Sequence, residues 1–303
     1  MAKRNRVGKS RSATEILEEY ERLKRLVGKP EAVTLIGRLV PACRSFLAAE
    51  AEIQALGSQV EGKEYFAFRH IASATRISRP INKGLYIEEP KILEAQLKQL
   101  ETDPCMERLS VEESNRLLYT ISTAFCAFSE VTSDQDKKTP GTYFELVVGH
   151  FLSVALGVVP RKKVEVLTIE DERSTLPTDY IFDLGPGHPK FHVPVKTSTR
   201  ERVVQVWAHQ RMLNSIYGEG RFRGMLVALA ETNLVRRKLA VVEVCLPAQW
   251  AVYQRFIARM DRIYYLDVPA KYAALATVFP YLPVKTFGEF FKERQSLLKP
   301  NLT

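Results

Sequence analysis

Cysteine is scarce in this chain and scattered where it occurs: the four are Cys43, Cys105, Cys126 and Cys245, with no Cys-x-x-Cys pair. That spacing argues against a zinc module and against a disulfide framework, so buried, reduced thiols are expected. Long apolar runs are missing too. No stretch approaches the roughly eighteen consecutive apolar residues of a membrane-spanning helix. The opening MAKRNRVGKSRS has no hydrophobic centre of the kind a secretory signal carries. A soluble, cytoplasmic protein with no membrane partner is the expectation. Internal repeats are absent, and so are low-complexity segments apart from the basic start.

What remains is ordinary in bulk: 303 residues, 46% of them apolar, enough for one large domain or two average ones. The formal net charge is +9, which makes the average surface attractive to polyanions such as nucleic acid. Part of it sits in Lys3, Arg4, Arg6, Lys9 and Arg11. Residues 1–12 are expected to form a disordered basic tail able to touch phosphates without sequence preference.

The periodicity divides the rest. From about Thr14 to Val131 apolar residues recur at helical spacing almost throughout, and Ser110 and Glu113 are spaced as a capping box. Residues 13–135 are therefore expected to form a helical N-terminal region. After the polar break TSDQDKKTPG the pattern becomes mixed α/β over residues 136–303. It reads as a helix over GTYFELVVGHFLSVAL, strands at KKVEVLTI, TDYIFDL and FHVPVK, a helix from about Glu201 to Tyr217, and strands at GMLVALA and AVVEVCL.

With GPGHPK as the loop of an antiparallel hairpin, Leu184 is expected opposite Phe191 and Asp179 opposite Lys196, roughly 5 Å apart at Cβ. Asp183 would then pair with His192, too far along the strand to share a site with Asp179. An Asp–Lys ion pair at a sheet end explains those two residues alone. Glu145 adds weight, because a carboxylate among the large apolar residues of TYFELVVGHF is costly unless paired or bound to a cation. Asp179 and Glu145 suit a hard divalent ion, and Lys196 suits orienting a water or meeting the charge of a phosphorane.

Four charges, Lys196, Arg200, Glu201 and Arg202, crowd this strand-to-helix junction. On a helix turning about 100° per residue, Arg202, Gln205 and His209 share one face, beside an apolar stripe of Val204, Ala208 and Met212.

The helix bearing Glu145, then Pro177-Thr178-Asp179, then Pro194-Val195-Lys196, resembles the PD-(D/E)xK nuclease superfamily over about residues 139–245. Where the common motif has an acid two residues before the lysine, this chain has Pro194. That departure, with Arg200-Glu201-Arg202 following the lysine, is similar to the type II restriction endonucleases that read CCGG or CCNGG cores.

The resemblance implies an α/β, restriction-endonuclease-like fold: a mixed central sheet with an αβββαβ core flanked by helices, and the N-terminal helical region serving dimerisation and DNA contacts. It implies a bacterial, Mg²⁺-dependent, site-specific deoxyribonuclease. Such an enzyme would cut double-stranded DNA at a palindromic CCGG or CCNGG core, leave 5′ overhangs, and share its site with a cognate methyltransferase. It also implies a homodimer, with pairing of dimers into a tetramer left open. Glu145, Asp179, Lys196 and His209 would be catalytic, with Asp179 and Glu145 on the metal. His209 stands where the family carries a displaced glutamate.

Arg200, Glu201 and Arg202 would read bases, since a guanidinium meets guanine O6 and N7 together and a carboxylate accepts from cytosine N4. Arg79 and Asn82, in a basic and aromatic stretch, are further candidates for DNA contacts, Asn82 for an outer A·T pair. Two rivals stay open: a repair or junction-resolving nuclease of the same superfamily, and a non-catalytic DNA-binding protein on a decayed nuclease core.

Overall fold

The computed structural model describes residues 12–73, 75–133, 136–167, 173–200 and 203–299. The basic tail, apart from Ser12, lies outside them. Ser12 caps the first helix in a capping box with Glu15. Among the described residues the N-terminal half contains helices α1 (Ala13–Leu23), α2 (Glu31–Glu50), α3 (Pro90–Thr102) and α4 (Val111–Thr132). The expected capping box at α4 is present: Ser110 Oγ accepts from Glu113 N, and Glu113 Oε2 from Ser110 N. By length and composition α2 could cross a membrane. Here Leu35, Ile36, Leu39, Val40 and Leu47 are instead buried, and the helix packs on α4.

The helical reading fails between α2 and α3. Residues that continue the helical spacing of α2 form strand β1 (Ala51–Ser58), followed by β2 (Tyr65–His70) and the short β3 (Ile81–Asn82). Ala, Glu, Gln and Leu favour a helix locally, but β1 is paired on both edges. It lies antiparallel to β2 and parallel to a strand from far along the chain, and such pairing outweighs propensity.

The second half begins with α5 (Thr139–Leu156), then β4 (Arg161–Leu167), β5 (Arg173–Phe182), β6 (Lys190–Val193), β7 (Val195–Lys196), α6 (Val203–Tyr217) and β8 (Phe222–Ala228). This is the expected αβββαβ order, with the third strand broken in two. A hairpin of β9 (Thr232–Val235) and β10 (Ala240–Glu243) follows. Then come α7 (Pro247–Phe256), β11 (Met260–Tyr265), α8 (Ala270–Val278), β12 (Val284–Thr286) and α9 (Phe287–Leu297).

Two sheets result. The larger runs β12-β11-β8-β6-β5-β4, with β7 beside β8, and the smaller runs β3-β2-β1-β10-β9. Successive strand residues point to opposite faces, and the core clusters divide accordingly. Tyr180, Phe182, Val193, Val195, Val227 and Tyr264 join α4, α5 and α9 on one face, while Leu226, Ala228 and Tyr265 join α6, α7 and α8 on the other. The first of these cores extends from Ile16 to Leu297, so the boundary expected at residues 135/136 does not separate two cores.

Buried polar contacts join the sheets. Asp267, just past β11, accepts from Lys63 Nζ (2.8 Å) and Asn82 Nδ2 (3.0 Å), and Lys63 also reaches Glu243 at the end of β10 (2.9 Å).

The seating of α5 on β5 depends on Gly149. A Cβ there would overlap the ring of Tyr180, whose hydroxyl donates to the backbone carbonyl of Glu145 at 3.0 Å. Gly149→Ala should cost about 1–3 kcal/mol, as overpacked cores do. A urea midpoint equal to that of the wild type would show that helix and strand part without penalty.

Candidate active site

The hairpin carrying Asp179 and Lys196 is real, but its register differs from the expected one. Tyr180 lies opposite Val193, Ile181 opposite His192 and Phe182 opposite Phe191, a slip of two residues. Asp183 pairs not with His192 but with Lys190, 2.8 Å away. A slip of two leaves every side chain on its expected face, so Asp179 and Lys196 still meet.

Pro194 breaks the ladder where Asp179 would have paired. Proline has no N–H to give. Beyond it, the N–H of Val195 donates to Asp179 Oδ2 at 2.8 Å, and Lys196 Nζ donates to the same oxygen at 2.6 Å. Neither side chain of this pair is fully buried. The parallel pairing with β8 runs straight through the break, holding Val195 opposite Val227 and Lys196 opposite Ala228.

Glu145 lies on α5, packed on the other face of the sheet, yet it feels both members of the pair. Burial raises its carboxyl above the ordinary value and the Asp179 charge raises it further, while Lys162 and Lys196 pull it back. Among the described residues its carboxylate has no hydrogen-bond partner.

On the α6 face a cavity of about 250 Å³ opens beside the pair, lined by Asp179, Lys196, Gln205, His209 and His192. His192 was placed too far along the strand by the expected register, and the observed pairing brings it in. Its Nδ1 lies 3.0 Å from Gln210 Oε1, and the Gln210 amide nitrogen donates elsewhere, so Nδ1 carries the proton; among the described residues the buried Nε2 has no partner. Burial lowers His192 to about 4. His209 is lowered too, by burial and then by Lys196. Both imidazoles are therefore neutral near pH 7. Among the described residues no three His, Cys, Asp or Glu side chains converge as a metal cluster, which leaves Asp179 and Glu145 as the nearby carboxylates.

The loop leaving Lys196 is held by a residue that the sequence did not single out. Glu231, 1% exposed and just beyond β8, accepts from Ser198 Oγ (2.8 Å), Thr199 N (2.9 Å), Thr199 Oγ1 (2.6 Å) and Tyr265 O–H (2.7 Å). It is a positioning residue for the turn into α6. Arg200 follows at a positive φ of 37°, exposed, with Nη2 donating to Asn233 Oδ1 at 3.3 Å. Glu201 and Arg202 lie outside the described residues.

Arg79 and Asn82 both have partners within the protein. Arg79 grips Glu130 through Nε (2.9 Å) and Nη2 (2.6 Å). Asn82 is buried, its amide on Asp267 and its Oδ1 accepting from Gly84 N. In this arrangement the polar atoms of Asn82 are taken up within the protein, while Arg79 stays partly exposed.

Two expectations follow. Glu231→Ala strands buried donors on Thr199 and Tyr265 and should cost roughly 1–3 kcal/mol for each group left unpaired. An unchanged urea midpoint would show that the clamp holds nothing.

The second concerns pH. His150 and His192 are both pushed from 6.5 to about 4 by burial. The unfolded chain therefore binds protons that the folded chain refuses. The stability they contribute is present above about pH 6.5 and is lost as pH falls through about 4. The unfolding midpoint should decline across that window, and less steeply in His192→Asn; identical profiles would contradict the assignment.

No protein-family model matches the chain, and no curated protein matches it in sequence. Among solved structures, the crystal structure of the type IIP restriction endonuclease Kpn2I aligns with a TM-score of 0.76 at 22% identity, over 94% of this chain and 96% of that one. Restriction endonuclease PspGI, in its substrate DNA complex, aligns with a TM-score of 0.45 at 15% identity, over 68% of this chain and 92% of that one. The first likeness covers the N-terminal helices as well as the α5–β4–β5–β6–α6–β8 core, and it establishes that this chain has the fold of a restriction endonuclease.

Proposed function

We propose that this protein is a type II restriction endonuclease: a Mg²⁺-dependent, site-specific nuclease that hydrolyses double-stranded DNA at a palindromic CCGG or CCNGG core and leaves 5′ overhangs. The observation that carries the reading is the Asp179–Lys196 pair, 2.6 Å apart at a strand break, with an exposed Arg200 four residues further on. An ion pair that served only to close a sheet would need no base-reading group beside it.

The chain's oxygen donors suit a hard cation. Glu145 is desolvated, without a hydrogen-bond partner among the described residues, and close enough to Asp179 for that charge to raise its carboxyl further, a cost that a divalent ion held by the two carboxylates would relieve. Asp179 has Oδ1 to offer, since among the described residues its hydrogen bonds, from Val195 and Lys196, fall on Oδ2. Bound there, Mg²⁺ would polarise the scissile phosphate and acidify a water. Lys196 orients that water and meets the charge growing on the phosphorane. Pro194 has no side-chain donor, and a neutral His209 can accept a hydrogen bond from solvent without adding charge.

Arg200 then stands a few residues from the chemistry, where a guanidinium suits guanine O6 and N7. Glu201 and Arg202 complete the reading head in this proposal. A palindrome read by one head per half-site calls for a two-fold homodimer. A cell holding such an enzyme also needs a methyltransferase that protects the same site. Asn82 is engaged inside the protein, while Arg79, partly exposed beside Glu130, stays a candidate for contacts outside the core.

The test separates cutting from binding. Lys196→Ala should slow Mg²⁺-dependent cleavage by about 10²–10³, and Asp179→Ala should reduce it to background. Both should still bind a CCGG duplex in the absence of metal. Wild-type cleavage rates in either variant would remove that residue, and with it this reading of the site.

A further inference from the structure

The β9–β10 hairpin belongs to the smaller sheet, outside the αβββαβ core, yet it stands beside the proposed reading head. Its first strand begins one residue after Glu231, and Asn233 on that strand holds the Arg200 guanidinium. Its turn carries Arg236, Arg237 and Lys238, all three exposed. Among the described residues none of them forms an ion pair with a carboxylate. Three adjacent cations repel one another, so a turn built this way gains from a polyanion and loses without one.

The turn is also firmly mounted. Leu239, at a positive φ of 45°, packs against the cluster containing Leu56 and Val241, and its carbonyl accepts from Gly57 N at 2.9 Å. β10 then continues parallel to β1. The charges therefore ride on a strand paired on both sides.

Between this hairpin and the end of α4 lies a cleft of about 620 Å³, lined by Lys137, Arg200, Asn233 and Arg236. The acids at the same cleft are engaged elsewhere: Glu130 by Arg79, and Asp136 by the backbone N–H groups of Lys138 and Thr139. The other charged residues of the lining, Lys137, Arg200 and Arg236, are cations, with Arg236 Nη1 also donating to the backbone carbonyl of Thr75 at 3.4 Å. The lining runs from the reading head outward to the turn.

We propose that the β9–β10 hairpin is a second DNA-contacting arm, with Arg236, Arg237 and Lys238 binding backbone phosphates of the duplex flanking the site that Arg200 reads. The inference rests on the reading of the chain as a DNA nuclease. Phosphate contacts hold register without carrying sequence information, so the arm supplies affinity and alignment, and the reading head supplies discrimination.

The test is the salt dependence of binding to a long CCGG duplex and to a scrambled duplex of equal length, without metal. It compares wild type with the triple variant Arg236→Gln, Arg237→Gln, Lys238→Gln. Each lost phosphate contact should lower the slope of log affinity against log salt by roughly 0.9, so by about 2–3 in total, and equally on both duplexes. A matching unfolding midpoint confirms that the variant is folded; if the triple fails to fold, Arg237→Gln alone should lower the slope by roughly 0.9. An unchanged slope overturns the arm, and a loss confined to the CCGG duplex overturns its phosphate role. Wild-type protein that binds neither duplex removes the nuclease reading itself, an outcome distinct from failure of the arm.

Discussion

A proline in the third strand of the core sets the geometry of the site. Pro194 cannot donate to the ladder, and the first N–H beyond it turns to the carboxylate of Asp179. That bond, with the Lys196 ammonium on the same oxygen, joins two strands through a side chain where backbone pairing has ended. The parallel ladder to β8 is unbroken across the same point, so the strand loses one partner while keeping its direction. A charged pair is thus held at a fixed place at the rim of the sheet, with α5 and Glu145 on one side and α6 and His209 on the other.

The junction beyond the pair is equally constrained. A glutamate with almost no solvent exposure takes up the hydroxyls of Ser198 and Thr199 and the amide of Thr199, and a tyrosine from β11 completes its coordination. Burying a carboxylate is costly unless its oxygens are fully engaged, and those of Glu231 are engaged by the loop it fixes. Arg200 therefore leaves the sheet from a set position at a short, constant remove from Lys196. In the proposed function, chemistry and base reading are linked by this loop, because neither group can move without straining the other.

The sequence carried much of this. The αβββαβ order follows from helical spacing giving way to period-two alternation, and the faces of the hairpin strands and the meeting of Asp179 with Lys196 follow from that alternation, which survives a register slip of two. The slip itself was not legible, because GPGHPK does not reveal how many flanking residues belong to the loop. His192 was misplaced for that reason. β1 was hidden because AEIQALGS is built from helix-favouring residues and becomes a strand only through partners near residues 65–70 and 240–241. Glu231 gave no local signal either, since its partners lie more than thirty residues away in the chain. Asn82 looked exposed in a Pro/Gly-punctuated segment, and its partner Asp267 comes from the far end of the core. What was missed is long-range polar pairing, which leaves no periodic trace.

In the proposed function this fold, with Asp179 and Lys196 at the strand break and Arg200 beside them, cuts DNA at one sequence. The most direct measurement is to incubate the purified protein with plasmid DNA and Mg²⁺ and to sequence the ends it makes. Breaks are expected at a single recurring palindrome containing CCGG or CCNGG, with 5′ overhangs. Breaks scattered without a common sequence, or no Mg²⁺-dependent breaks at all, would contradict that function.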